Sequence, residues 1–353
     1  MKKRRCQPPT IPLPSLSLSH ILTHTHANAR AHAHACAHTH THTNTHTSSI
    51  AGSAMSVISL FHCFLLHACV MQAIFDKTWR EWPTARLLCQ VDNLSLLKMS
   101  HEPLLTKHLN ALVLAHTSLE HALSFILASK LASIALDADV LYKLFVDVMQ
   151  SSAKVREGIY ADLRAVKERD PACTCYCHCV LNFKGFQACQ VYRIAHCLWN
   201  QDKKAVAYVL QSRMSEVFGV DIHPAARIGK GVLFDHAAGV VIGETAVVGD
   251  NVAILHGVTL GGTGKHGGDR HPKIGAGVLI GAGASIIGNI TVGDGAKIGA
   301  GALVLMEVPP RTTAVGCPAR LVGGRNNPTK LTEPPIETMD HLSYVADWCD
   351  YVI

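Results

Sequence analysis

The feature that most restricts this chain is a six-residue rhythm in its second half. Ile242, Val248, Ile254 and Leu260 lie six apart, and the count resumes at Ile274, Ile280, Ile286, Val292, Ile298 and Val304. A second row, four residues further on, is small or branched, as at Ala246, Val252, Val258, Val278 and Ala284. Glycine follows the first-row residue at 243, 249, 261, 275, 281, 293 and 299. Neither a helical period of about 3.6 nor the two-residue alternation of a strand gives this pattern. One short strand and one tight corner per unit do, with the branched residue inside and glycine turning the corner. Three units close a triangular coil of about 18 residues, and stacked coils bury a continuous core through parallel pairing.

Two interruptions carry the chemistry. Leu260 to Ile274 spans 14 residues where two units would take 12, and "LGGTGKHGGDRHPKIG" has no apolar residue at core spacing. The segment is predicted to leave the coil as a loop. Phe234 to Ile242 takes eight residues instead of six and contains Asp235 and His236. Both breaks bring histidine and charge to a rigid scaffold, where binding and catalytic groups concentrate on loops.

The remainder is less regular. The net charge of +6 owes much to the N-terminal residues, because no acidic side chain precedes Asp76. No recognition module accompanies that charge, so nucleic acid is not an expected partner. Thirteen cysteines without regular pairing fit a reduced compartment. Residues 1–100 read as a low-complexity leader. Its "THTHANARAHAHACAHTHTHTNTHT" leaves open a metal-binding tract, a transit peptide or a translated repeat outside the mature protein. Val57–Phe75 is about as long as a bilayer crossing, yet its histidines and glutamine favour an atypical apolar segment over an anchor. Residues 101–219 read as a helical domain. Thr117 and Glu120 suggest a capping box, with Leu119, Leu123, Ile126, Leu127 and Leu131 on one face. The prism is expected over 220–325 and a flexible, extended tail over 326–353. "CTCYCHC" (Cys173, Cys175, Cys177, Cys179) lacks the paired spacing of a zinc site, and its cysteines are read as structural. "GGTGK" lacks the full phosphate-loop pattern and its strand–helix setting.

The motifs "RDPAC", "KGFQACQVYRIAHCLWNQ", "VDIHPAARIGKG", "DHAAGVVIGETAVVGDNV", "GGTGKHGGDRHPKIG" and "VPPRTTAVGCPARLVGG" together resemble serine O-acetyltransferases, the plant-type enzymes most closely. The resemblance covers roughly 101–325 and the extreme C-terminus. Ala238 departs from it, standing where the family usually has threonine, and so do Cys175 and Cys177. It implies an α+β chain: a helical domain, a left-handed parallel β-helix and a partner-binding tail. General crossover rules favour the opposite hand, so the handedness comes from the resemblance alone.

The implied reaction moves acetyl from acetyl-CoA to the L-serine hydroxyl in cysteine biosynthesis. By that resemblance His236 is the general base and Asp221 its support, while Asp170, Asp235, Arg270 and His271 bind the zwitterionic serine. Gly261, Gly262, Gly264, Lys265, Lys273, Arg311 and Arg320 are candidate coenzyme A contacts. Acetyl-CoA is a co-substrate, so no cofactor and no metal are expected. A hexapeptide-repeat carbonic anhydrase is the competing reading, with His223, His236, His256, His266 and His271 as its pool of imidazoles. The resemblance further implies a homotrimer or a dimer of trimers with sites shared between neighbours. It also implies docking of O-acetylserine sulfhydrylase on the terminal "DYVI", with Ile353 and its carboxylate as the anchor. The expected compartment is the cytoplasm, with plastid and mitochondrion as alternatives, and a membrane location is not expected.

Overall fold

The computed structural model describes residues 107–264 and 267–340. The His-rich leader, Val57–Phe75, Lys265, His266 and the terminal "DYVI" lie outside the described residues. A π-helical turn, Asn110–Leu114, leads into six helices: α1 (Leu119–Leu131), α2 (Ala138–Ser151), α3 (Ala153–Arg169), α4 (Tyr176–Asn182), α5 (Lys184–Asn200) and α6 (Lys204–Phe218). All five apolar residues expected on one face of α1 are buried.

The cap of α1 lies one residue later than the sequence suggests. Ser118, in extended backbone, accepts from the His121 amide at 3.3 Å. Glu120 does not close a capping box, because its carboxylate accepts from the Tyr160 hydroxyl at 2.7 Å. In "CTCYCHC", Cys175 is the N-cap of α4, its sulfur accepting from the His178 amide at 3.2 Å.

The second half is a left-handed parallel β-helix with three faces. β1 (Asp221–Ile222), β4 (Val241–Ile242), β7 (Thr259–Gly261), β10 (Ser285–Ile287) and β13 (Leu303–Val304) form the first. β2 (Arg227–Ile228), β5 (Val247–Val248), β8 (Lys273–Ile274) and β11 (Thr291–Val292) form the second. The third stacks β3 (Leu233–Phe234), β6 (Ala253–Ile254), β9 (Leu279–Ile280), β12 (Lys297–Ile298) and β14 (Thr313–Val315), with β15 (Arg320–Leu321) antiparallel to β14. Every first-row residue of the repeat, from Ile242 to Val304, is buried.

The register corrects the reading of the large interruption. Val248 pairs with Ile274 and Leu260 with Ile286, each pair 26 residues apart, against the 18 separating Ile274 from Val292. Leu260 to Ile274 is therefore one step of the coil with eight residues extruded, not two steps with two to spare. The smaller break adds two residues, since Ile228 pairs with Val248 and Phe234 with Ile254 across 20.

A stacked prism leaves the backbone of its first coil without a strand on one side, a hazard that terminal caps must cover. Here helical side chains do so. The Tyr192 hydroxyl donates to the Ala226 carbonyl at 2.6 Å and accepts from the Ile228 amide at 3.1 Å. Arg193 donates to the Gly229 carbonyl, Arg169 to the Gly231 carbonyl, and the Val232 amide donates to Asp162. Asp162 is fully buried and also takes Arg193 Nε at 2.6 Å and Nη2 at 2.7 Å.

At the far end, the described part of the tail is fastened rather than free. The Leu331 amide donates to the Arg311 carbonyl at 2.7 Å, and a short helix α7 (Pro335–Thr338) carries Ile336 against the core. The nearly buried Lys297 ammonium lies 3.5 Å from the Asp340 carboxylate.

Candidate active site

The two residues added after β3 make a left-handed turn. His236 has φ +53° and Ala237 φ +60°. Histidine tolerates that region better than most side chains, and a non-glycine residue there signals a conformation imposed by its surroundings. The Ala238 amide donates to the His236 carbonyl at 2.8 Å, and the Val240 amide to the Ala237 carbonyl at 3.0 Å. The turn drives the His236 ring outward, leaving its side chain 79% exposed. Asp235 Oδ1 lies 3.9 Å from its Nε2, and the His256 ring stands edge-on at 5.9 Å between centroids. The departure at Ala238 costs this turn nothing that the structure displays, for Ala238 is exposed and bonds only through its backbone.

Helix α5 supports the turn from behind. A Cβ on Gly185 would stand 2.0 Å from the Phe234 carbonyl oxygen and 3.1 Å from Ala237 Cβ. Only glycine permits this approach.

Asp221 begins β1, next in register to Val241 of β4. Its Oδ1 accepts from Gln211 Nε2 of α6 at 2.7 Å. Among the described residues no hydrogen bond joins it to His236. Asp170 is the C-cap of α3, where its side chain accepts from the Ala172 amide at 2.8 Å.

Arg270 and His271 sit at the returning end of the extruded loop. Arg270 Nη2 pairs with Glu244 Oε2 at 2.8 Å, and its Nη1 donates to the Gly268 carbonyl at 3.2 Å. The Arg270 and His271 amides both donate to Thr245 Oγ1 at 3.1 Å. The hydrogen bond from Arg270 holds the Glu244 carboxyl below the usual carboxylate range. Burial lowers the His271 pKa, and the charges of Arg270 and Lys273 push it the same way. His271 packs over bare backbone: a Cβ on Gly243 would stand 2.0 Å from its Nε2. Sequence reasoning missed Glu244, Thr245, Gln211 and Gly185. Glu244 and Thr245 fill the corner one coil below the loop, inside the six-residue rhythm, where no break in the sequence marks them.

The coenzyme A candidates divide. Gly261 lies in β7, and Gly262 passes under Arg270 and His271. Gly264 has φ +73° with open space around it. Lys273 Nζ is already engaged by the Thr245 carbonyl at 3.0 Å, the His271 carbonyl at 2.7 Å and Asp269 at 2.5 Å. Arg311 donates to the Leu331 and Thr332 carbonyls and so holds the tail. Arg320 is exposed on β15. Among the described residues no group of three or more His, Cys, Asp or Glu side chains is placed to hold a metal ion. Nor is any helix among them long and apolar enough to cross a membrane.

The two histidine-bearing breaks flank one strand. His236 precedes β4 and the Glu244–Thr245 corner follows it, so base candidate and loop stand at opposite edges of the first face. Val241 lies between them, 39% exposed.

A prism of six-residue turns with an extruded loop and an edge histidine defines a hexapeptide-repeat acyltransferase. Residues 271–305 match the family model for the bacterial transferase hexapeptide (six repeats), and residues 90–191 match that for the serine acetyltransferase N-terminal region. Serine acetyltransferase 1, chloroplastic, of Arabidopsis thaliana is 60% identical over 255 residues, covering 72% of this chain and 81% of the relative. Probable serine acetyltransferase 1 of Oryza sativa subsp. japonica is 61% identical over 252 residues, covering 71% and 82%. The solved structure of soybean serine acetyltransferase complexed with serine superposes with a TM-score of 0.64 at 60% identity, covering 66% of this chain and 96% of that one. That of the Brucella abortus enzyme with coenzyme A gives 0.63 at 48% identity, covering 67% and 94%. The chain belongs to the serine acetyltransferase family and is an acyltransferase of cysteine biosynthesis.

Proposed function

We propose that this chain transfers acetyl from acetyl-CoA to the hydroxyl of L-serine, with His236 as the base. The observation that carries the assignment is the left-handed turn presenting an exposed imidazole beside Asp235. A serine hydroxyl is a weak nucleophile near neutral pH, and imidazole is the side chain suited to take its proton. The hydroxyl oxygen bonds to the thioester carbonyl carbon as His236 accepts the proton. The tetrahedral intermediate then collapses, the carbon–sulfur bond breaks, and the imidazolium returns the proton to the departing thiolate. O-acetylserine and coenzyme A leave, and the charges balance without a cofactor.

Asp221 supports the imidazolium in this reading. Gln211 occupies one of its oxygens, and the other is the one assigned to His236. Asp170 and Asp235 meet the ammonium of serine, and Arg270 and His271 its carboxylate. Because the two groups flank one face of a single chain, each site is completed by a neighbouring copy in a trimer. Lys265 and Arg320 serve the coenzyme A phosphates. The "DYVI" segment, through Ile353, docks O-acetylserine sulfhydrylase, and deleting Ile353 is expected to weaken co-purification of that partner while thiol release continues.

The test of the reaction is thiol release by the purified chain with serine and acetyl-CoA. His236→Ala should lower kcat by at least about 100-fold with the oligomer intact. Near-normal turnover by that variant would remove the base assignment.

A further inference from the structure

His271 is held by one residue at one ring nitrogen. The Thr245 amide lies 3.2 Å from His271 Nδ1 and its hydroxyl oxygen 2.8 Å from the same atom. An amide N–H only donates, so Nδ1 must accept. The hydroxyl leads to the same assignment. Its oxygen already accepts from the Arg270 and His271 amides, which uses both lone pairs and leaves the hydroxyl proton to give. That proton has a second taker in the Asp269 carboxylate, itself held low first by Lys273. Should it turn there, the amide still donates to Nδ1.

The other nitrogen is in a different position. Among the described residues Nε2 has no hydrogen-bond partner, and it rests in the notch left by the missing side chains of Gly243 and Gly262. His271 is 7% exposed, yet Nε2 is not sealed off, because Gln190 Oε1 is the sealed side-chain polar atom without a partner among the described residues. Burial first, and then the charges of Arg270 and Lys273, disfavour a second proton on the ring, against the pull of the Glu244 carboxylate.

We infer that Thr245 is a positioning residue for the reaction, holding His271 as the neutral Nε2–H tautomer so that this ring donates a hydrogen bond to a carboxylate oxygen of serine. A ring so held cannot take a proton at Nε2, so of His236 and His271 only His236 can serve as base. The tautomer follows from the Thr245 contacts, whereas the serine carboxylate as acceptor rests on the proposed function.

Solid-state nitrogen-15 spectra of the oligomer labelled only in histidine test it, with His271→Gln identifying the signal. The expected spectrum shows Nδ1 bare and Nε2 protonated in the resting protein. A protonated Nδ1 would overturn the inference. Thr245→Val, which keeps the amide and removes the hydroxyl, should raise the KM for serine about tenfold, a larger effect than on kcat. Thr245→Ser should restore it. An unchanged serine KM in Thr245→Val would overturn the positioning role of the Thr245 side chain. A chain that never turns serine over would sink the functional reading, and the spectrum would still decide the tautomer.

Discussion

Gly185 of α5 and Phe234 of β3 touch backbone to backbone, so close that a methyl group at 185 would overlap the Phe234 carbonyl oxygen at 2.0 Å. The next two residues are Asp235 and His236, so the helical domain fixes the seat of the candidate base. Gly185→Ala is expected to destabilise the fold by about 1–3 kcal/mol and to lower kcat about tenfold or more, because small displacements of a reacting group are costly. Thermal unfolding beside steady-state kinetics checks this. Unaltered kcat in the variant would separate the helix from the chemistry.

The junction of helices and prism rests on Asp162, which is fully buried and receives Arg193 through two bonds and the Val232 amide through a third. Removing a buried partner strands the other charge, at a cost of about 3–5 kcal/mol. Asp162→Ala should show that loss in urea unfolding at fixed protein concentration. A loss below about 1 kcal/mol, the range of an exposed pair, would contradict the capping role.

Burial holds His196, His223 and His271 below the ordinary imidazole pKa. Between those lowered values and the unfolded value of about 6.5, the unfolded chain binds more protons than the folded one. Their contribution to stability is therefore complete above about pH 6.5 and is lost as acid drives the pH down through the folded values. Urea midpoints should be level between about pH 7 and 8 and decline below about pH 6.5. A midpoint that climbs on acidification from neutrality would reverse the sign and refute the assignment.

Arg320 is exposed on β15, whereas Arg311 and Lys273 are committed to carbonyl and carboxylate oxygens of their own chain. Arg320→Ala is expected to raise the KM for acetyl-CoA about fivefold while leaving the KM for serine alone, the scale of one exposed charge contact. Equal shifts in both constants would point to a general structural effect.

The prism was legible because its signal is repeated: each branched residue at six-residue spacing meets the same demand for a small inward group, and the register bears this out at Ile242, Leu260 and Ile286. The loop was legible as an absence of that signal, but its length was not, because apolar spacing alone does not say which face a strand joins. The register supplied that through Val248 and Ile274. The sequence points to Thr117 as the cap of α1 where Ser118 serves, since adjacent hydroxyl residues are indistinguishable until the backbone selects one. At the site, His236, Arg270 and His271 stood out because their motifs interrupt a rhythm. Thr245 and Glu244 lie inside the rhythm, and Gln211 and Gly185 act from helices distant in sequence, so only the folded chain brings them into view.

His236 and His271 stand on opposite edges of one face, and the proposed site joins one of each from two neighbouring copies. Co-expression of His236→Ala and His271→Ala chains tests it most directly, because some interfaces then combine an intact His236 from one chain with an intact His271 from the next. Each variant alone should be nearly inactive, and mixed oligomers should recover about a quarter of the wild-type acetyl transfer from random assortment around a ring. Mixed oligomers as inactive as either parent would contradict it.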